Sequence, residues 1–257
     1  MIKRKLTENI RRVEERIQRA CARVGRSPAE IRLVAVTKTV GLDVIRTLLE
    51  MGTEDLGESR VQELVRRASM ITEWQRRRGF EPASTPPALP RWHLVGHLQR
   101  NKVKLVLPFT HLIHSLDSLR LAEEIDAQSR KLDRVTPVLL QVNAANEPQK
   151  SGVAVAAATH LADQLRTLPN LRLCGLMAMA PLTDDEKRIR HTFGRARELF
   201  DEMVHERIGG PHFRELSLGM SQDFEYGIEV GATLIRVGSA LFEGIEQTIE
   251  PAAAESA

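Results

Sequence analysis

Apolar residues along this chain follow two alternating patterns, helical spacing and short continuous runs. Near the amino terminus they recur at spacings of three and four, which predicts an amphipathic helix. Its apolar face comprises Leu6, Ile10, Val13, Ile17, Cys21 and Val24. Residues 33–36 form an uninterrupted run with β-branched members, which is typical of a strand buried on both faces. The run stops at Thr37 and Lys38, and Gly41 and Asp43 then begin a second helical pattern.

The same alternation continues along the chain and predicts eight strands. They cover residues 33–36, 53–56, 91–95, 111–114, 135–142, 171–179, 213–218 and 233–237. Strands that alternate with helices are typical of an α/β protein with a parallel sheet and helical crossovers. Eight such units close naturally into a single (β/α)8 barrel of the TIM type, with one extra helix before the first strand. A doubly wound open sheet is the alternative, and the count of strands favours the barrel.

Helical patterns fill the intervals between the predicted strands. They cover residues 44–52, 61–68, 97–107, 118–131, 153–168, 183–207 and 223–230, with one more after residue 237. Asp117 is placed to cap the helix at 118–131. Four prolines between residues 79 and 90 predict a surface loop, and the alanine-rich end at 250–257 is expected to fray. We therefore predict one barrel domain over residues 1–257.

Composition narrows the class of protein. Hydrophobic residues make up 42% and charged residues 28%, as in ordinary soluble proteins. The net charge is only +3 and aromatic residues make up 4%, so we expect no nucleic-acid partner. No stretch approaches the roughly 18 apolar residues that a membrane span needs, and we expect no membrane association.

The two cysteines, Cys21 and Cys174, lie far apart in the sequence. They predict neither a disulfide framework nor a zinc pair, which fits a reducing compartment. The amino-terminal residues lack the apolar core of a signal peptide. We therefore expect a cytoplasmic location.

The most informative polar residue follows the first predicted strand. In a barrel, functional residues come from the carboxyl ends of the strands and the loops after them. Lys38 occupies such a position, and if its amine were desolvated it could form a Schiff base with an aldehyde. On this stretch alone, Lys38 is more simply explained as the first solvated residue after a strand.

Two turns, after the seventh and eighth predicted strands, favour a ligand-binding role for Lys38 over a solvated residue. Gly219 and Ser221 follow the seventh strand, and Gly238 and Ser239 follow the eighth. Serine hydroxyls at helix N-termini, with glycines that permit close backbone approach, are typical of phosphate sites. Either turn alone would be ordinary capping, but two at adjacent strand ends favour phosphate.

A phosphate site beside a strand-end lysine suggests pyridoxal 5′-phosphate (PLP), whose aldehyde a lysine can hold. Two other lysines could compete for this role. Lys102 lies in a predicted helix, and Lys150 follows a polar loop. Lys38 is the better candidate because the buried strand fixes its backbone.

Several motifs resemble the pyridoxal phosphate homeostasis protein family, between about residues 31 and 244. They are residues 36–38, 57–63, 93–102, 114–117, 142–143 with Glu147 and 150–152, 175–178, 216–224 and 236–242. The most specific are Leu-Ser-Leu-Gly-Met-Ser-Gln-Asp-Phe at 216–224 and Arg-Val-Gly-Ser-Ala-Leu-Phe at 236–242. The resemblance implies a fold similar to the N-terminal barrel of alanine racemase, a fold-type III PLP-binding barrel, without that enzyme's second, β-rich domain.

The resemblance also implies roles for individual residues. Lys38 would hold PLP as a reversible Schiff base, and Arg236 would face the pyridine nitrogen. A permanently charged arginine there disfavours protonation of the ring and makes the cofactor a poorer electron sink. The remaining cofactor-binding residues would be Asn143, Met220, Ser221, Gly238 and Ser239. Ser59 stands where the family usually has asparagine, so its contact with the cofactor is left open.

The implied function is PLP homeostasis, in which the protein holds the cofactor and supplies or buffers it for apo-enzymes. The alternative is a fold-type III amino-acid racemase, which needs a second acid/base, usually a tyrosine from another domain. The sequence holds a single tyrosine, Tyr226, in a predicted helix, so we expect a carrier without robust turnover. A weaker possibility is an aldolase-like barrel with a phosphorylated sugar substrate.

The sequence leads to two further expectations. A strand-to-helix break separates His93 from His97, so their spacing does not establish a pair of metal ligands, and we expect no metal. The partners would be PLP and PLP-dependent apo-enzymes, and the protein would be a monomer.

Overall fold

The computed structural model describes residues 1–78, 90–147 and 151–245. The helices are α1 Ile2–Arg23, α2 Leu42–Glu50, α3 Val61–Arg78, α4 Val103–Val106, α5 Leu119–Lys131, α6 Val155–Leu165, α7 Glu186–His205 and α8 Phe224–Glu229. The strands are β1 Arg32–Val36, β2 Asp55–Glu58, β3 Arg91–Leu94, β4 Thr110–Leu116, β5 Thr136–Asn143, β6 Val153–Ala154, β7 Leu171–Met177, β8 Glu215–Ser217 and β9 Leu234–Val237. Pro28–Glu30 and Arg100–Lys102 are single 3₁₀ turns.

The strands form a closed parallel barrel. Their order is β4-β3-β2-β1-β9-β8-β7-β5, and an additional β4–β5 pairing closes the ring. Every pairing is parallel, as helical crossovers require. The predicted eight-stranded barrel with an extra N-terminal helix is therefore confirmed, and the open sheet is wrong.

Several element predictions are wrong in detail. The helix predicted at 97–107 is reduced to a 3₁₀ turn and α4, because Gln99 is extended with φ −77° and ψ 140°. Ser118, rather than Asp117, is the N-cap of α5. Val153 and Ala154 form β6, a ninth strand that pairs only with β5, before α6 begins. Residues 239–245 form turns instead of a helix.

Other predictions fall partly or wholly outside the described residues. The surface loop at 79–90 does so except for Pro90, and the frayed end at 250–257 and Lys150 lie there entirely. Cys21 and Cys174 are both free thiols, which confirms that they form no disulfide. In the described part of the chain, no helix is long and apolar enough to cross a membrane.

Two apolar cores follow from the alternation of side chains along the strands. A small core fills the barrel interior and consists of Val34, Leu112, Leu139, Met177 and Leu234. A much larger one lies between the outer face of the barrel and the helices. Because successive residues alternate between the two cores, the inner core identifies which positions of each strand face the barrel axis.

Helix α1 lies on the outside and is tied to the last two units of the barrel. Arg16 forms an ion pair with Glu225 of α8 at 2.6 Å. The buried side chain of Asn9 donates hydrogen bonds to the carbonyls of Leu241 at 2.8 Å and Glu243 at 2.9 Å. The extra helix therefore supports the segments next to the two predicted phosphate turns.

Candidate functional site at the carboxyl ends of the strands

Lys38 lies just past β1, at the carboxyl end of the barrel. Beyond Val36 the ladder continues, because the Thr37 N–H donates to the Gly57 carbonyl at 2.9 Å. Val34 faces the barrel axis, and residue 38 has the same parity along the strand. The Lys38 side chain is exposed, so the desolvation considered from the sequence is not present in this structure.

A buried ion pair holds the backbone next to Lys38. The Glu58 carboxylate accepts hydrogen bonds from the Thr37 hydroxyl and, at 2.7 Å, from Arg67 of α3. Arg67 also donates to the Thr37 carbonyl at 2.6 Å. Burial raises the pKa of Glu58, and the Arg67 charge and Thr37 hydrogen bond only partly offset it. The residue before Lys38 is therefore fixed through its side chain and its carbonyl.

The loops that follow β8 and β9 meet at Ser221. Its side-chain oxygen accepts hydrogen bonds from the backbone N–H groups of Gly238 at 3.1 Å and Ala240 at 3.3 Å. Two backbone N–H groups that converge on one oxygen also suit a phosphate oxygen. A Cβ atom at Gly238 would lie 3.1 Å from the Val36 carbonyl oxygen. The β9 loop therefore lies directly against the end of the strand that carries Lys38.

These turns differ from the sequence prediction in one respect. The sequence placed Ser221 at a helix N-terminus, but α8 begins at Phe224 with Asp223 as its N-cap. Residues 220–224 first form a turn, closed by a hydrogen bond from the Phe224 N–H to the Met220 carbonyl at 2.9 Å. Since no helix follows β9 in the described residues, turn backbone and not helix ends form the cradle at Ser221.

Arg236 is buried inside the barrel, with 4% of its surface exposed. Its guanidinium donates to the carbonyl of Ser217 at 3.0 Å, to the Ser217 hydroxyl, and to the carbonyl of Ala178 at 3.1 Å. Burial lowers the pKa of Arg236 to about 10, against the opposing effect of Asp223. The guanidinium therefore remains charged at neutral pH.

A line of buried polar side chains continues from Arg236 to the opposite end of the barrel. Ser217 Oγ lies 3.0 Å from His114 Nδ1, and His114 Nε2 lies 2.9 Å from His93 Nδ1. His93 Nε2 lies 2.8 Å from Asp55 Oδ1. We call these five residues the polar chain. His114 therefore makes hydrogen bonds through both of its ring nitrogens.

The other predicted site residues, apart from Lys38 and Arg236, belong to loops and strand ends at the same end of the barrel. Asn143 ends β5, and its side chain donates to the Glu147 carbonyl at 2.8 Å within its own loop. Met220 is 40% exposed in the loop after β8. Ser239 is exposed, and Ser59 is half-buried after β2. The structure thus brings Ser221 and Gly238 into contact. The other four predicted residues lie around the rim of the barrel.

Sequence reasoning missed the residues that support the site from behind. Arg67 gave a usable signal, because a charge three residues after Leu64 and four before Ile71 falls on the apolar face of α3. The sequence signal for Ser217 was weaker, because it is only a polar residue at the end of a predicted strand. Neither signal identifies the partner residue, since the partners lie on other elements.

In the part of the chain described, His93 and His97 do not come together as metal ligands. Both ring nitrogens of His93 are engaged, one by Asp55 and the other by His114. His97 is exposed, with its Nδ1 3.6 Å from Asp117. Among the described residues, no group of three or more His, Cys, Asp or Glu side chains could hold a metal ion.

Comparisons with known proteins identify the family. The family model of the alanine racemase N-terminal domain matches residues 5–245. A relative from Aquifex aeolicus, named pyridoxal phosphate homeostasis protein, is 38% identical over 236 residues, 91% of this chain and 96% of the relative. The protein of that name from Escherichia coli K12 is 35% identical over 238 residues, 92% of this chain and 95% of its own length. The chain belongs to the pyridoxal phosphate homeostasis protein family.

Solved structures agree with this assignment to the pyridoxal phosphate homeostasis protein family. A protein of unknown function from Bifidobacterium adolescentis superposes with a TM-score of 0.85 at 36% identity, covering 94% of this chain and 96% of its own. PipY of Synechococcus elongatus, solved with PLP bound, has a TM-score of 0.73 at 32% identity, covering 88% and 99%. An alanine racemase of Clostridium difficile 630 has a TM-score of 0.70 at 12% identity, covering 93% of this chain and 56% of its own, which shows the fold alone.

Proposed function

We propose that this protein binds PLP at the carboxyl end of its barrel and serves in PLP homeostasis, holding the cofactor and supplying or buffering it for apo-enzymes. Two observations from related proteins support the proposal. Relatives that match more than nine-tenths of the chain carry the name pyridoxal phosphate homeostasis protein. PipY, which has the same fold at 32% identity, has been solved with PLP bound.

The contact between the β9 loop and β1 is the observation that carries the proposal. In the cradle formed by Ser221 and Gly238, the Ser221 oxygen accepts the Gly238 N–H, so the Ser221 hydroxyl hydrogen can donate to a phosphate oxygen. Ala35 of β1 is paired with Val237 of β9, so Lys38 leaves its strand beside the cradle. A ligand with a phosphate group and an aldehyde a few ångströms apart fits this arrangement, and PLP is such a ligand.

The chemistry follows from the side chains at this end of the barrel. The unprotonated Lys38 amine attacks the aldehyde carbon, a C=N bond forms, and the aldehyde oxygen leaves as water. The link is reversible by hydrolysis, which a carrier needs. When bound, PLP supplies electron withdrawal through its ring nitrogen. Arg236, charged and a hydrogen-bond donor only, would hold that nitrogen unprotonated and so weaken the withdrawal.

Trapping the cofactor on its lysine tests the proposal. Protein titrated with PLP should gain a yellow absorbance, lose it on borohydride reduction, and carry the reduced adduct on the peptide containing Lys38. A Lys38→Ala variant should not form the adduct, whereas Lys131→Ala, at the far end of α5, should form it as the wild type does. A wild-type protein that gains no colour, or an adduct confined to another lysine, would contradict the proposal.

The position of Tyr226 weighs against racemase activity. Tyr226 lies on α8 in the outer helical layer, with Arg190 of α7 over its ring at 4.5 Å from the centroid. It therefore does not face Lys38 across the mouth of the barrel, and it is the single tyrosine of the sequence. We propose that PLP-loaded protein interconverts no amino-acid enantiomers at a useful rate. Sustained racemisation of alanine, lysine or another amino acid by the pure protein would contradict this.

Cofactor supply and oligomeric state are further parts of the proposal. PLP-loaded protein, separated from free PLP, should restore the activity of a PLP-dependent apo-enzyme in proportion to the PLP added. Failure to restore any activity would leave a storage role only. We also propose that the protein is a monomer, which light scattering on the eluted peak tests directly.

A further inference from the structure

The polar chain is a line of buried side chains in the barrel interior, and Arg236 is its one member among the predicted binding residues. Its members are almost inaccessible to solvent, with exposures of 6% for Asp55, 0% for His93, 0% for His114, 0% for Ser217 and 4% for Arg236. A cluster of five apolar residues lies in the same interior. A barrel core needs no polar residues to be well packed, so the reason for this line of hydrogen bonds lies elsewhere.

The position of each hydrogen follows from the acidic end of the polar chain. Asp55 also accepts a bidentate pair of hydrogen bonds from Arg91 at 2.9 and 2.7 Å. Burial alone would raise the pKa of Asp55, but the hydrogen bonds from Arg91 and His93 outweigh it and hold the pKa well below its ordinary value. An ionised carboxylate only accepts, so His93 must carry a hydrogen on Nε2.

The remaining hydrogens then have a single arrangement. Burial lowers the pKa of His93, although Asp55 opposes the shift, and burial together with the Arg236 charge lowers the pKa of His114. A neutral His93 with its hydrogen on Nε2 accepts at Nδ1, so His114 donates from Nε2. A neutral His114 in turn accepts at Nδ1, and there the Ser217 hydroxyl donates.

The basic end agrees with this arrangement. Arg236 has donors only, and the Ser217 oxygen accepts one of them while its own hydrogen is given to His114. Every hydrogen bond from Arg236 to Asp55 therefore points the same way, and both ring nitrogens of each histidine have a partner. A charged His93 would reverse the direction and leave the Ser217 hydrogen without an acceptor.

We propose that His114 and His93 are positioning residues for Arg236, held as Nε2–H tautomers in a one-directional chain of hydrogen bonds that ends on Asp55. Through Ser217 the polar chain fixes the orientation of the guanidinium, and its neutral histidines leave a single positive charge at that end of the barrel interior. The inference rests on the proposed function, which assigns Arg236 to the ring nitrogen of PLP.

Electrostatics explains why neutral histidines matter here. A protonated His114 would place a second positive charge one serine away from Arg236, in a site that excludes water. Like charges repel strongly at low dielectric, so the guanidinium would be displaced or the field at the ring nitrogen changed. The polar chain does not transfer protons, because Arg236 stays charged and Asp55 stays ionised at neutral pH.

Nitrogen NMR on the intact protein tests the tautomers directly. Long-range proton–nitrogen correlations on histidine-labelled protein, with and without PLP, should show His93 and His114 as neutral Nε2–H tautomers, with each signal assigned by its loss in a single variant. This measurement does not depend on PLP binding. A charged ring, or a hydrogen on Nδ1 of either histidine, would overturn the inference.

A matched pair of substitutions tests the link to Arg236. In His114→Asn the side-chain oxygen takes the place of Nδ1 and still accepts from Ser217. In His114→Gln the amide nitrogen takes the place of Nε2, so the acceptor for Ser217 is lost. The Gln variant should shift the absorption maximum of bound PLP and weaken PLP binding about tenfold, and the Asn variant should change both less.

Two further variants complete the experiment. Ser217→Ala should reproduce the shift of the Gln variant, and the exposed His160→Gln on α6 should leave the maximum unchanged. Equal shifts in the Asn and Gln variants, or none in Ser217→Ala, would show a packing effect and overturn the inference. If a His114 variant does not fold, the NMR measurement of the tautomers and the absorption maximum of PLP bound to Ser217→Ala still test the inference. A wild type that binds no PLP would instead contradict the proposed function.

Discussion

The side-chain oxygen of Ser221 lies 3.1 Å from the backbone nitrogen of Gly238 and accepts its hydrogen bond. The two residues are seventeen positions apart in sequence, and they belong to the loops after β8 and β9. One hydroxyl therefore joins the two loops that would hold the phosphate group of PLP. The relationship also locates the cradle next to the end of β1, where Lys38 lies.

Removing the Ser221 hydroxyl should weaken phosphate binding selectively. Because the Ser221 oxygen already accepts the Gly238 and Ala240 N–H groups, its hydroxyl hydrogen is the donor that a phosphate oxygen would use, and Ser221→Ala removes it. One hydrogen bond of this kind contributes about 1 kcal/mol. We expect the dissociation constant for PLP to rise about fivefold to tenfold. Pyridoxal, which has the aldehyde but lacks the phosphate, is the matched ligand, and its weaker binding should be unchanged. An equal loss for both ligands would contradict a phosphate role.

A methyl group at Gly219 should destabilise the fold. Gly219 has φ +84°, and a Cβ atom there would lie 2.5 Å from the Cα of Phe224. Positive φ costs about 1 kcal/mol or more for a residue with a side chain, and the clash with backbone adds to it. We expect Gly219→Ala to lower the free energy of unfolding by more than about 2 kcal/mol in urea denaturation.

Gly194 provides the matched control for that substitution. It lies within α7, and a Cβ atom there would meet nothing within 4 Å. Gly194→Ala should therefore raise the free energy of unfolding by roughly 0.5–1 kcal/mol, because alanine is the better helix former. If both variants changed stability in the same direction, the clash at Gly219 would not be the cause.

Loss of the buried ion pair behind Lys38 should be costly. The side chains of Arg67 and Glu58 are 3% and 1% exposed, so Arg67→Met leaves a buried carboxylate without its charge partner. Breaking such a pair typically costs about 3–5 kcal/mol. Urea denaturation should show a loss of this size, and PLP binding should also weaken because the Thr37 carbonyl loses its donor.

Two further variants control for the loss of an arginine as such. Arg76→Met, on the exposed part of the same helix, removes a surface pair with Glu73 and should cost less than about 1 kcal/mol. Adding Glu58→Gln to Arg67→Met should restore part of the lost stability, because the buried charge is gone. No recovery in the double variant would show that packing, and not charge, explains the loss.

Acid should destabilise the protein through His93 and His114. The pKa of each lies below its ordinary value of about 6.5. Near that pH the two histidines therefore bind more protons in the unfolded state than in the folded state. The free energy of unfolding therefore falls as pH decreases through about 6.5, by up to about 1.4 kcal/mol per pH unit for each histidine, and neither contributes above about pH 7.

A difference between variants isolates this effect. Glu58 acts with the opposite sign above about pH 4.3, since its raised pKa makes the folded state bind the proton more tightly. Comparing wild type with His114→Asn between about pH 7.5 and about pH 5.5 cancels that contribution. In His114→Asn the free energy of unfolding should fall less steeply with decreasing pH than in the wild type, because one of the two buried histidines is gone. Parallel curves for wild type and His114→Asn would contradict a neutral buried His114.

The sequence by itself determined the architecture and the end of the barrel at which the candidate site residues lie. Alternating strand runs and helical spacings specify a parallel barrel, because each pattern reflects the local geometry of one element. Lys38, Ser221 and Gly238 were found in the same way, since residues at strand carboxyl ends collect at one rim. Helix caps and ends were less well predicted. Ser118 is the N-cap of α5 in place of Asp117, a difference of one residue that is common at helix ends. Val153 and Ala154 pair with β5, a contact that the local pattern does not contain.

Only the tertiary structure decided which inward-facing residues meet. His93 and His114 are 21 positions apart, and His114 and Ser217 are 103 apart. Strand periodicity shows that each can face the axis, but their contact depends on the register of several strands and on barrel closure. The same holds for Arg67 and Glu58, which a helix and a strand bring together. Strand and helix periodicities are properties of neighbouring residues, whereas these hydrogen bonds are properties of the closed barrel.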